Sequence, residues 1–457
     1  MTAGLRAQRC DVAVVGGGVA GLSTAHFVLR ARPGADVRVF ERASALGGNV
    51  KTVRRDGCVI DMGPDAILTR PDAAVELCRN VGLADALVAP GADARTVFIA
   101  RGRRLIPMPE GMAFGMPRSV RQLAFTPLLS WRGKFRAALD LVLPAHAHPK
   151  GISVGALVDA RFGREVKDAL VEPIVGGIYA GDVDRLDARY VMPQFADANG
   201  SLIRALARAP ASTGSPFRAP RDGMDQLIGA LVASVGSARI ESDSPLGVLS
   251  RRDDLWSLTF GDGRTVTARK VVLALPPPDV APVVDAFDAT LAAAVAEIRV
   301  HSTVIIVLAL DAKNLTTPEG SGFLVPRTEE RSLVAATFVD RKWPDRVPSG
   351  LRVLRAAVGG THAPGSLDDD DDTLVRRALG ELREYIAIGE PRWVQVQRYP
   401  LATPQPEVGH AERVRAIRAA ADRVGIALAG AAYDGPGIAG CVRGARAVAD
   451  RLCAESW

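Results

Sequence analysis

The chain has 457 residues, of which 48% are hydrophobic and 24% are charged. This length exceeds the size at which one hydrophobic core keeps growing, so we expect two or three structural lobes. The formal charge of +6 suits nucleic acid, an anionic membrane or an acidic small molecule. Because the arginines are spread along the chain without a zinc-finger or RNA-binding signature, we expect no nucleic-acid partner.

The cysteines indicate a reducing compartment. They form no CxxC pair, and the first nine residues are too short and too polar for a signal peptide. We therefore expect reduced thiols and a cytoplasmic protein. No run approaches the ~20 apolar residues of a spanning helix, so membrane contact is expected only peripherally, on the inner face. The cysteines are Cys10, Cys58, Cys78, Cys441 and Cys453.

The first pattern in the chain is a strand, a glycine turn and a helix. Residues 11–15 predict a buried strand, and residues 22–29 have the apolar spacing of a helix. Between them, Gly16 permits a tight turn, Gly18 lets the backbone approach a pyrophosphate, and Gly21 lets the helix pack closely on the strand. The start of the helix would face the phosphates with unpaired N–H groups.

A second strand strengthens this interpretation over a glycine turn without a ligand. Residues 37–40 predict that strand, and it ends in Glu41, where an acid should hold ribose hydroxyls. The segment continues through Arg42 to Gly47 and Gly48, and it resembles the extended motif of glutathione-reductase-like and amine-oxidase-like flavoproteins. The resemblance implies FAD, since an NAD dehydrogenase does not need the second glycine pair.

The middle of the chain is similar to the returning part of such an FAD domain. Residues 270–278 predict a buried strand stopped by prolines, and a hairpin-like pair at 240–246 and 256–260 precedes it. In this frame a residue at the position of Leu246 touches the adenine through its backbone.

The last segment predicts a strand at 426–430 and a helix at 438–452. Between them, Gly435-x-Gly437-x-x-Gly440 matches the dinucleotide pattern, but no second strand with its acid follows. We interpret it as a clamp for the flavin, because a glycine turn opening a helix offers N–H groups to an electron-rich ring. A helix cap without chemical consequence is the alternative.

Five further motifs resemble one family, the oxygen-dependent protoporphyrinogen and coproporphyrinogen oxidases within the amine-oxidase-like flavoproteins. The most specific motif is Glu172-Pro-Ile-Val-Gly-Gly-Ile-Tyr-Ala-Gly-Asp182. The others lie at residues 61–65, 220–227, 343–346 and 433–438. The resemblance covers nearly the whole chain.

The resemblance implies an α/β fold with α+β insertions, built on a Rossmann-like FAD domain of the p-hydroxybenzoate-hydroxylase and amine-oxidase type that is split in sequence. We predict an FAD-binding domain, a substrate-binding domain and a mainly helical lobe for a membrane surface or substrate. Their segments are, in that order, 10–70, 220–285 and 405–457; 71–104 and 286–404; and 105–219.

The family also implies oxidation of a porphyrinogen in haem biosynthesis. The implied cofactor is non-covalent FAD, O2 is the final acceptor and H2O2 a product, and the chain would form a homodimer. No metal is required. The alternatives are another amine-oxidase-like enzyme, such as an amine oxidase or a carotene desaturase, and a non-catalytic FAD-bound, membrane-associated protein.

The resemblance assigns five residues to the substrate. Arg70 would meet a propionate, although a solvated arginine explains it as well. Gly177 would present its backbone near the reacting macrocycle, and Leu324 and Val334 would sandwich the ring. Ala357 departs from relatives that carry an aromatic there, which leaves the identity of the porphyrinogen open. Arg70 and Gly177 are the catalytic candidates.

The predicted FAD site draws on all three FAD segments. Cys441 could anchor the flavin covalently, but a small buried thiol at a helix start is the commoner case. The predicted cofactor-binding residues are Gly16, Gly18, Val19, Ala20, Gly21, Glu41, Arg42, Gly47, Gly48, Gly63, Pro64, Asp65, Leu246, Gly430, Ala431, Pro436, Gly437 and Ile438.

Three remaining patterns are set apart from these sites. Trp131-Arg-Gly-Lys-Phe-Arg136 fits a membrane interface or a core-facing helix with a solvated basic side. Asp368 to Asp372 lacks the glycine and glutamate of a calcium loop and is interpreted as a charged helix start. His146-x-His148 is interpreted as a loop.

Overall fold

The computed structural model describes residues 8–144, 151–196, 200–208 and 215–455. The predicted loop at His146 and His148 lies outside the described residues. All five cysteines are free thiols, as predicted.

The strands of the described residues fall into two large sheets and three small ones. They are β1 (Gln8–Val15), β2 (Val37–Phe40), β3 (Thr52–Arg55), β4 (Cys58–Asp61), β5 (Ile67–Leu68), β6 (Leu87–Val88), β7 (Val97–Arg101), β8 (Arg104–Pro107), β9 (Phe217–Pro220), β10 (Ile240–Glu241), β11 (Leu246–Arg252), β12 (Leu255–Phe260), β13 (Thr265–Leu273), β14 (Val300–Asp311), β15 (Leu315–Thr316), β16 (Gly322–Leu324), β17 (Leu333–Phe338), β18 (Leu351–Gly359), β19 (Ala387–Ile388), β20 (Trp393–Pro404) and β21 (Ile426–Leu428).

The helices of the described residues include many of one or two turns. They are α1 (Val19–Ala31), α2 (Ala73–Asn80), α3 (Val120–Ala124), α4 (Trp131–Ala138), α5 (Val154–Phe162), α6 (Arg164–Val166), α7 (Gly177–Tyr179), α8 (Ala188–Val191), α9 (Pro193–Ala196), α10 (Leu202–Arg208), α11 (Asp225–Val235), α12 (Pro277–Asp285), α13 (Ala289–Ala296), α14 (Val339–Lys342), α15 (Asp371–Leu382), α16 (His410–Val424), α17 (Ala431–Asp434) and α18 (Gly437–Ala454).

The first large sheet carries the glycine turn. Its order is β10-β2-β1-β13-β12-β11, and β21 pairs with β13. The pairs β10·β2, β2·β1, β1·β13 and β13·β21 are parallel. Val12 and Val14 of β1 are fully buried, as expected for a parallel strand covered by helices on both faces. The parallel core with its α1 crossover is the Rossmann-like arrangement that the sequence predicted.

The predicted hairpin before β13 is partly wrong. Residues 240–246 do not form one strand, because β10 pairs in parallel with β2 and the chain then turns into β11. The antiparallel partner of β12 is β11, which begins at Leu246. Two residues of β10 are too short a pattern to distinguish from the strand that follows them.

The second large sheet has the order β20-β14-β18-β17-β16-β7-β8. One face of β14 contributes Ile305 and Val307 to the same apolar cluster as β1 and α18. The other face contributes Val304 and Ile306 to a cluster that α15 covers. This sheet therefore packs against the glycine-turn domain on one side only.

Helices make up most of the described part of residues 105–219 and enclose their own apolar cluster. Within them, Lys167–Gly176 is a π-helix that contains Pro173. Proline lacks the N–H of a regular helix, and π-helical turns are rare and frequently mark functional sites. The π-helix ends where Gly177 begins α7, so it sets the position of the most specific sequence motif.

Candidate active site

Of the three motif glycines in the turn after β1, two have no room for a side chain and one borders open space. Gly16 has a φ of +112°, and a Cβ on it would lie 2.4 Å from the carbonyl oxygen of Ala274. A Cβ on Gly21 would lie 1.9 Å from the Gly16 carbonyl oxygen. At Gly18 the nearest atom to such a Cβ is 3.9 Å away, in Gly48. The open space at Gly18 is therefore available to a ligand, as its predicted role requires.

Glu41 lies directly after β2 and faces the glycine turn. Its Oε2 accepts a hydrogen bond from the Gly17 N–H at 2.6 Å, and its Oε1 accepts one from the Ala43 N–H at 2.9 Å. The next side chain, Arg42, is exposed and pairs with Asp279 at 3.0 Å. The acid is thus held beside the turn, where it would reach the ribose.

The second glycine pair lies against the first. The Gly47 N–H donates to the Gly17 carbonyl at 2.9 Å, and Gly18 forms a parallel bridge with Gly47. Both Gly47 and Gly48 have positive φ, +109° and +58°. This part of the chain therefore borders the same open space as Gly18.

Gly63 and Pro64 follow β4 on the side of the second large sheet. A Cβ on Gly63 would lie 1.9 Å from the Asn49 carbonyl oxygen, so no other residue fits. The Gly63 carbonyl accepts a hydrogen bond from the Arg355 guanidinium at 2.6 Å. Arg355, on β18, thereby links the second large sheet to this FAD segment. The sequence did not reveal this residue, because the two positions are 292 residues apart.

The carboxylate of Asp65 pairs with Lys342, the last residue of α14, at 2.7 Å. Burial alone would raise the pKa of Asp65, but the nearby cations of Lys342 and Arg355 outweigh it and lower that pKa to about 2. The side chain of Asp65 is therefore ionised and paired, and its predicted role in cofactor binding would have to come from its backbone.

The predicted flavin clamp has two open glycines at the start of α17 and α18. Gly430 and Gly437 have φ of +133° and +71°, and no atom lies within 4 Å of a Cβ on either. By contrast, a Cβ on Gly440 would lie 2.2 Å from the Gly435 carbonyl oxygen, so that glycine serves helix packing. The buried carboxylate of Asp434 fixes the turn by accepting from the Gly430 N–H at 2.8 Å.

The remaining predicted cofactor residues flank these turns. Val19 and Ala20 form the buried first turn of α1, and Ala431 opens α17. Leu246 begins β11 opposite Phe260. Two more stand at the start of α18: Pro436, its N-cap, and the buried Ile438.

Three of the predicted substrate residues come together. A Cβ on Gly177 would lie 3.9 Å from Cγ1 of Val334 and 4.0 Å from Cδ2 of Leu324. Leu324 on β16 is in register with Ala335 on β17, and Ala335 is in register with Ala357 on β18. These three residues therefore form one row across the sheet. Side chains in one row point to the same face of the sheet. The row therefore forms a surface of small and aliphatic groups that runs from Gly177.

Arg70 is not joined to this group. It is exposed, and its neighbour Thr69 hydrogen-bonds to Pro216 beside the short β5·β9 pair. Among the described residues no hydrogen bond or ion pair holds the Arg70 guanidinium. Its place as a propionate partner stays a prediction.

The backbone after Gly177 is fixed from outside its own helix. Ala180 has a left-handed φ of +48°, and its carbonyl lies 2.9 Å from Nδ1 of His301. Gln405 donates to the Tyr179 carbonyl at 2.7 Å. Two residues of distant segments thus hold the motif in one conformation, and sequence reasoning had assigned neither of them a role.

The open glycines Gly18, Gly430 and Gly437, together with Glu41, fit a flavin dinucleotide. They lie at the carboxyl ends of β1, β2 and β21, which run parallel in one sheet, and ligands bind at that edge of such sheets. The fold and the site define the class of dinucleotide-binding proteins with a Rossmann-like domain and a second large sheet.

Comparison with known proteins gives the same class. The model of the family "Flavin containing amine oxidoreductase" matches residues 19–453. The coproporphyrinogen III oxidase of Bacillus subtilis (strain 168) is 30% identical, over 96% of this chain and 97% of the relative. The coproporphyrinogen III oxidase of Propionibacterium freudenreichii subsp. freudenreichii is 32% identical, over 98% of this chain and 91% of the relative.

A solved structure extends the likeness to the whole fold. A protein of Exiguobacterium sp. 255-15, provisionally named protoporphyrinogen oxidase, has a TM-score of 0.88 at 30% identity, over 99% of this chain and 100% of its own. The chain belongs to the family of flavin-containing amine oxidoreductases. The predicted fold class and the prediction of a flavin-dependent oxidoreductase are thereby confirmed.

Proposed function

We propose that this protein oxidises coproporphyrinogen III to the porphyrin in haem biosynthesis, with non-covalent FAD as cofactor and O2 as the final acceptor. Two relatives that match this chain at 30% and 32% identity, over nearly their full length, are coproporphyrinogen III oxidases. The observation that carries the proposal is the meeting of Gly177, Leu324 and Val334, which come from three separate segments of the chain.

The surface at Gly177 suits a flat apolar macrocycle. A porphyrinogen is a wide apolar ring with carboxylate arms, so it needs an apolar slot with cations at the mouth. Leu324 and Val334 supply apolar walls, and Gly177 supplies backbone without a side chain in the way. Arg70 is the proposed cation, because its exposed guanidinium is free to pair with a propionate.

The FAD-binding residues proposed are the predicted cofactor residues whose positions are described above. Bound there, FAD supplies the two-electron acceptor for the substrate. Gly18 and the N-terminus of α1 would hold the pyrophosphate, Glu41 the ribose, and the turn at Gly430 and Gly437 the flavin ring. The division into FAD, substrate and helical domains belongs to the same proposal and agrees with the membership of the two large sheets.

Non-covalent attachment is supported by the state of Cys441. A covalent thioether would need a reactive thiolate. Burial, and next the charge of Asp434, raise the pKa of the Cys441 thiol to about 12, so it stays protonated at neutral pH. Acid precipitation of the purified protein should release all of the FAD into the supernatant.

Aerobic assays with coproporphyrinogen III and protoporphyrinogen IX, followed by porphyrin fluorescence above the rate without protein, test the substrate. We expect faster oxidation of coproporphyrinogen III and stoichiometric H2O2. Preference for protoporphyrinogen IX would overturn the substrate assignment. If neither porphyrinogen reduces the bound flavin under nitrogen, the proposed function is wrong, and benzylamine and a carotene then test the alternative enzyme classes.

A peripheral membrane position is the second part of the proposal. Trp131 and Phe135 on α4 are 73% and 65% exposed, and Phe125 nearby is 81% exposed. The aromatic side chains of α4 therefore face away from the core, although Gly133 and Ala137 of the same helix are buried. Arg132 stacks on Trp131 at 5.3 Å, which places basic and aromatic groups side by side, as at an anionic bilayer surface. No helix of the described residues is long and apolar enough to cross a membrane.

Sedimentation with phosphatidylglycerol vesicles tests this surface. The double variant Trp131→Ser/Phe135→Ser should lose vesicle binding while porphyrinogen oxidation in detergent-free buffer is kept. The matched control is Val248→Ser, which removes another exposed apolar group, on β11. Equal sedimentation of the wild-type protein and both variants would contradict the membrane proposal.

A further inference from the structure

Glu172 is a buried carboxyl group that the function described so far does not use. It lies in the π-helix Lys167–Gly176 and is 5% exposed. Its Oε2 accepts a hydrogen bond from the Arg327 N–H at 3.0 Å. Its Oε1 is buried and has no hydrogen-bond partner among the described residues. Because an unpartnered buried oxygen destabilises the fold, its presence calls for an explanation.

The free oxygen lies directly behind the proposed substrate surface. A Cβ on Gly176 would lie 2.9 Å from Oε1 of Glu172 and 3.1 Å from the carbonyl oxygen of Gly181. The next residue, Gly177, faces Leu324 and Val334. One glycine backbone therefore separates the carboxyl group from the place where the macrocycle would react.

Burial is the main reason that the pKa of Glu172 lies near neutrality, and the charges around it adjust that pKa. Burial raises the pKa of Glu172 to about 7; the backbone N–H and the guanidinium of Arg327 lower it, and the carboxylates of Asp168 and Asp182 raise it. Asp168 is itself paired with Lys167, and Asp182 with Arg327. The group can therefore both take up and release a proton at neutral pH.

We propose that Glu172 is a proton-relay residue, whose Oε1 takes up the proton released by the substrate beside Gly177 and returns it to water, with the partly exposed carboxylate of Asp182 as the next acceptor. The inference rests on the proposed function. The carboxylate of Asp182 is 24% exposed, so a proton on it can pass to water.

The step balances with the acceptor that the proposed function supplies. A C–H bond of the porphyrinogen would break, and FAD bound at the proposed site would accept its hydrogen with the electron pair as hydride. The N–H bond of a flanking pyrrole ring breaks, and its proton goes to the Glu172 carboxylate. Its electron pair forms a C=N bond within that ring, and the ring double bonds shift to form a C=C bond to the carbon that lost the hydride. The carboxylic acid then returns that proton to water, so the protein is unchanged.

Anaerobic stopped-flow reduction of bound FAD by coproporphyrinogen III, from about pH 5.5 to about pH 8.5, tests the relay. In the wild-type protein the rate should rise as Glu172 loses its proton near pH 7. The Glu172→Gln variant keeps the shape of the side chain but cannot take up a proton. We expect it to lose this rise and to be about 100-fold slower at the alkaline end.

Two further variants keep Glu172 in place and move its titration in opposite directions. Asp168→Asn removes a negative charge and should shift the rise to lower pH. Arg327→Gln removes a positive charge and should shift it to higher pH. A purely structural role would move neither midpoint, and these variants also decide the question if Glu172→Gln does not fold.

Infrared titration of the oxidised protein gives a test without turnover. A carboxylic-acid C=O band should disappear as the pH rises through about 7 in the wild-type protein and be missing in Glu172→Gln. The relay is overturned if that band does not titrate, or if Glu172→Gln keeps the wild-type pH profile. Failure of the wild-type protein to oxidise any porphyrinogen would instead overturn the proposed function.

Discussion

The carboxylate of Glu41 accepts a hydrogen bond from the Gly17 N–H at 2.6 Å, which ties the end of β2 to the glycine turn after β1. A charged acceptor fixed at this place is ready to receive ribose hydroxyls. Replacing Glu41 with Ala should weaken FAD binding about 10- to 100-fold, since hydrogen bonds to charged groups contribute about 1.5–3 kcal/mol.

Titration of the apoprotein with FAD, followed by quenching of flavin fluorescence, measures this loss. The matched control is Asp262→Asn, which removes an exposed carboxylate from the β12–β13 turn. Glu41→Ala with the affinity of the control would show that the acid does not reach the cofactor.

An alanine substitution at Gly177 tests whether this glycine is needed for substrate oxidation and not for folding. A Cβ there meets Val334 and Leu324 at ordinary contact distances, so Gly177→Ala should keep the fold and the FAD. It should nevertheless lower kcat/KM for the porphyrinogen at least about tenfold, because about 1 Å of misplacement at a reacting centre costs up to about 100-fold.

The matched substitution is Gly181→Ala, whose Cβ would lie 2.2 Å from Oε1 of Gln405. This variant should lose thermal stability, by about 1–3 kcal/mol for overpacking. Differential scanning fluorimetry and steady-state kinetics on both proteins separate the two effects. A lower melting temperature for Gly177→Ala than for Gly181→Ala would contradict our assignment.

The sequence predicted those features whose residues lie close together along the chain. The turn at Gly16, Gly18 and Gly21 was predictable because its glycines act within one short segment. The meeting of Gly177 with Leu324 was predictable only through resemblance to a family.

The rest depended on long-range packing or on subtle backbone geometry. The pair Asp65–Lys342 joins residues 277 positions apart, and no local pattern encodes it. The π-helix around Pro173 differs from an α-helix by a shift of one residue in its hydrogen bonds, which apolar spacing cannot show. Both features border the candidate site. Resemblance to a family therefore pointed to the residues of the candidate site, but it did not predict the Asp65–Lys342 ion pair or the π-helix beside them.

The Asp65–Lys342 pair should give a measurable pH dependence of stability. The native pKa of Asp65 is about 2, below its ordinary value of 3.8. The ionised carboxylate therefore stabilises the fold at every pH above about 4, and this contribution is lost as the pH falls toward 2. Asp65→Asn should be less stable by about 1–2 kcal/mol at neutral pH.

Urea unfolding of the wild-type protein and Asp65→Asn at several pH values measures the difference. The gap between the two proteins should be constant from neutral pH down to about 4 and then close. A gap that widens as the pH falls would show that the pair does not hold the pKa down.

Arg346 and Asp61 form a deeply buried ion pair at 2.6 Å, with side chains only 2% and 1% exposed. The pair joins the end of β4, in a predicted FAD segment, to the connection that precedes β18. Arg346 also donates to the carbonyl oxygens of Pro220 and Arg221. Arg346→Met would leave the Asp61 carboxylate buried without its cation, so we expect a loss of about 3–5 kcal/mol in the free energy of unfolding.

The double variant Arg346→Met/Asp61→Asn should recover part of that loss, because it removes the uncompensated charge. In the wild-type protein the Met224 N–H donates to the Asp61 carboxylate. The amide oxygen of the asparagine that replaces Asp61 can still accept this hydrogen bond. The control is Arg221→Met, which breaks an exposed pair with Asp345 and should change stability by no more than about 0.5 kcal/mol. Urea unfolding of the wild-type protein and the three variants gives the comparison. If the double variant is no more stable than Arg346→Met, the buried charge is not the cause of the loss, and the lost hydrogen bonds to the two carbonyls are.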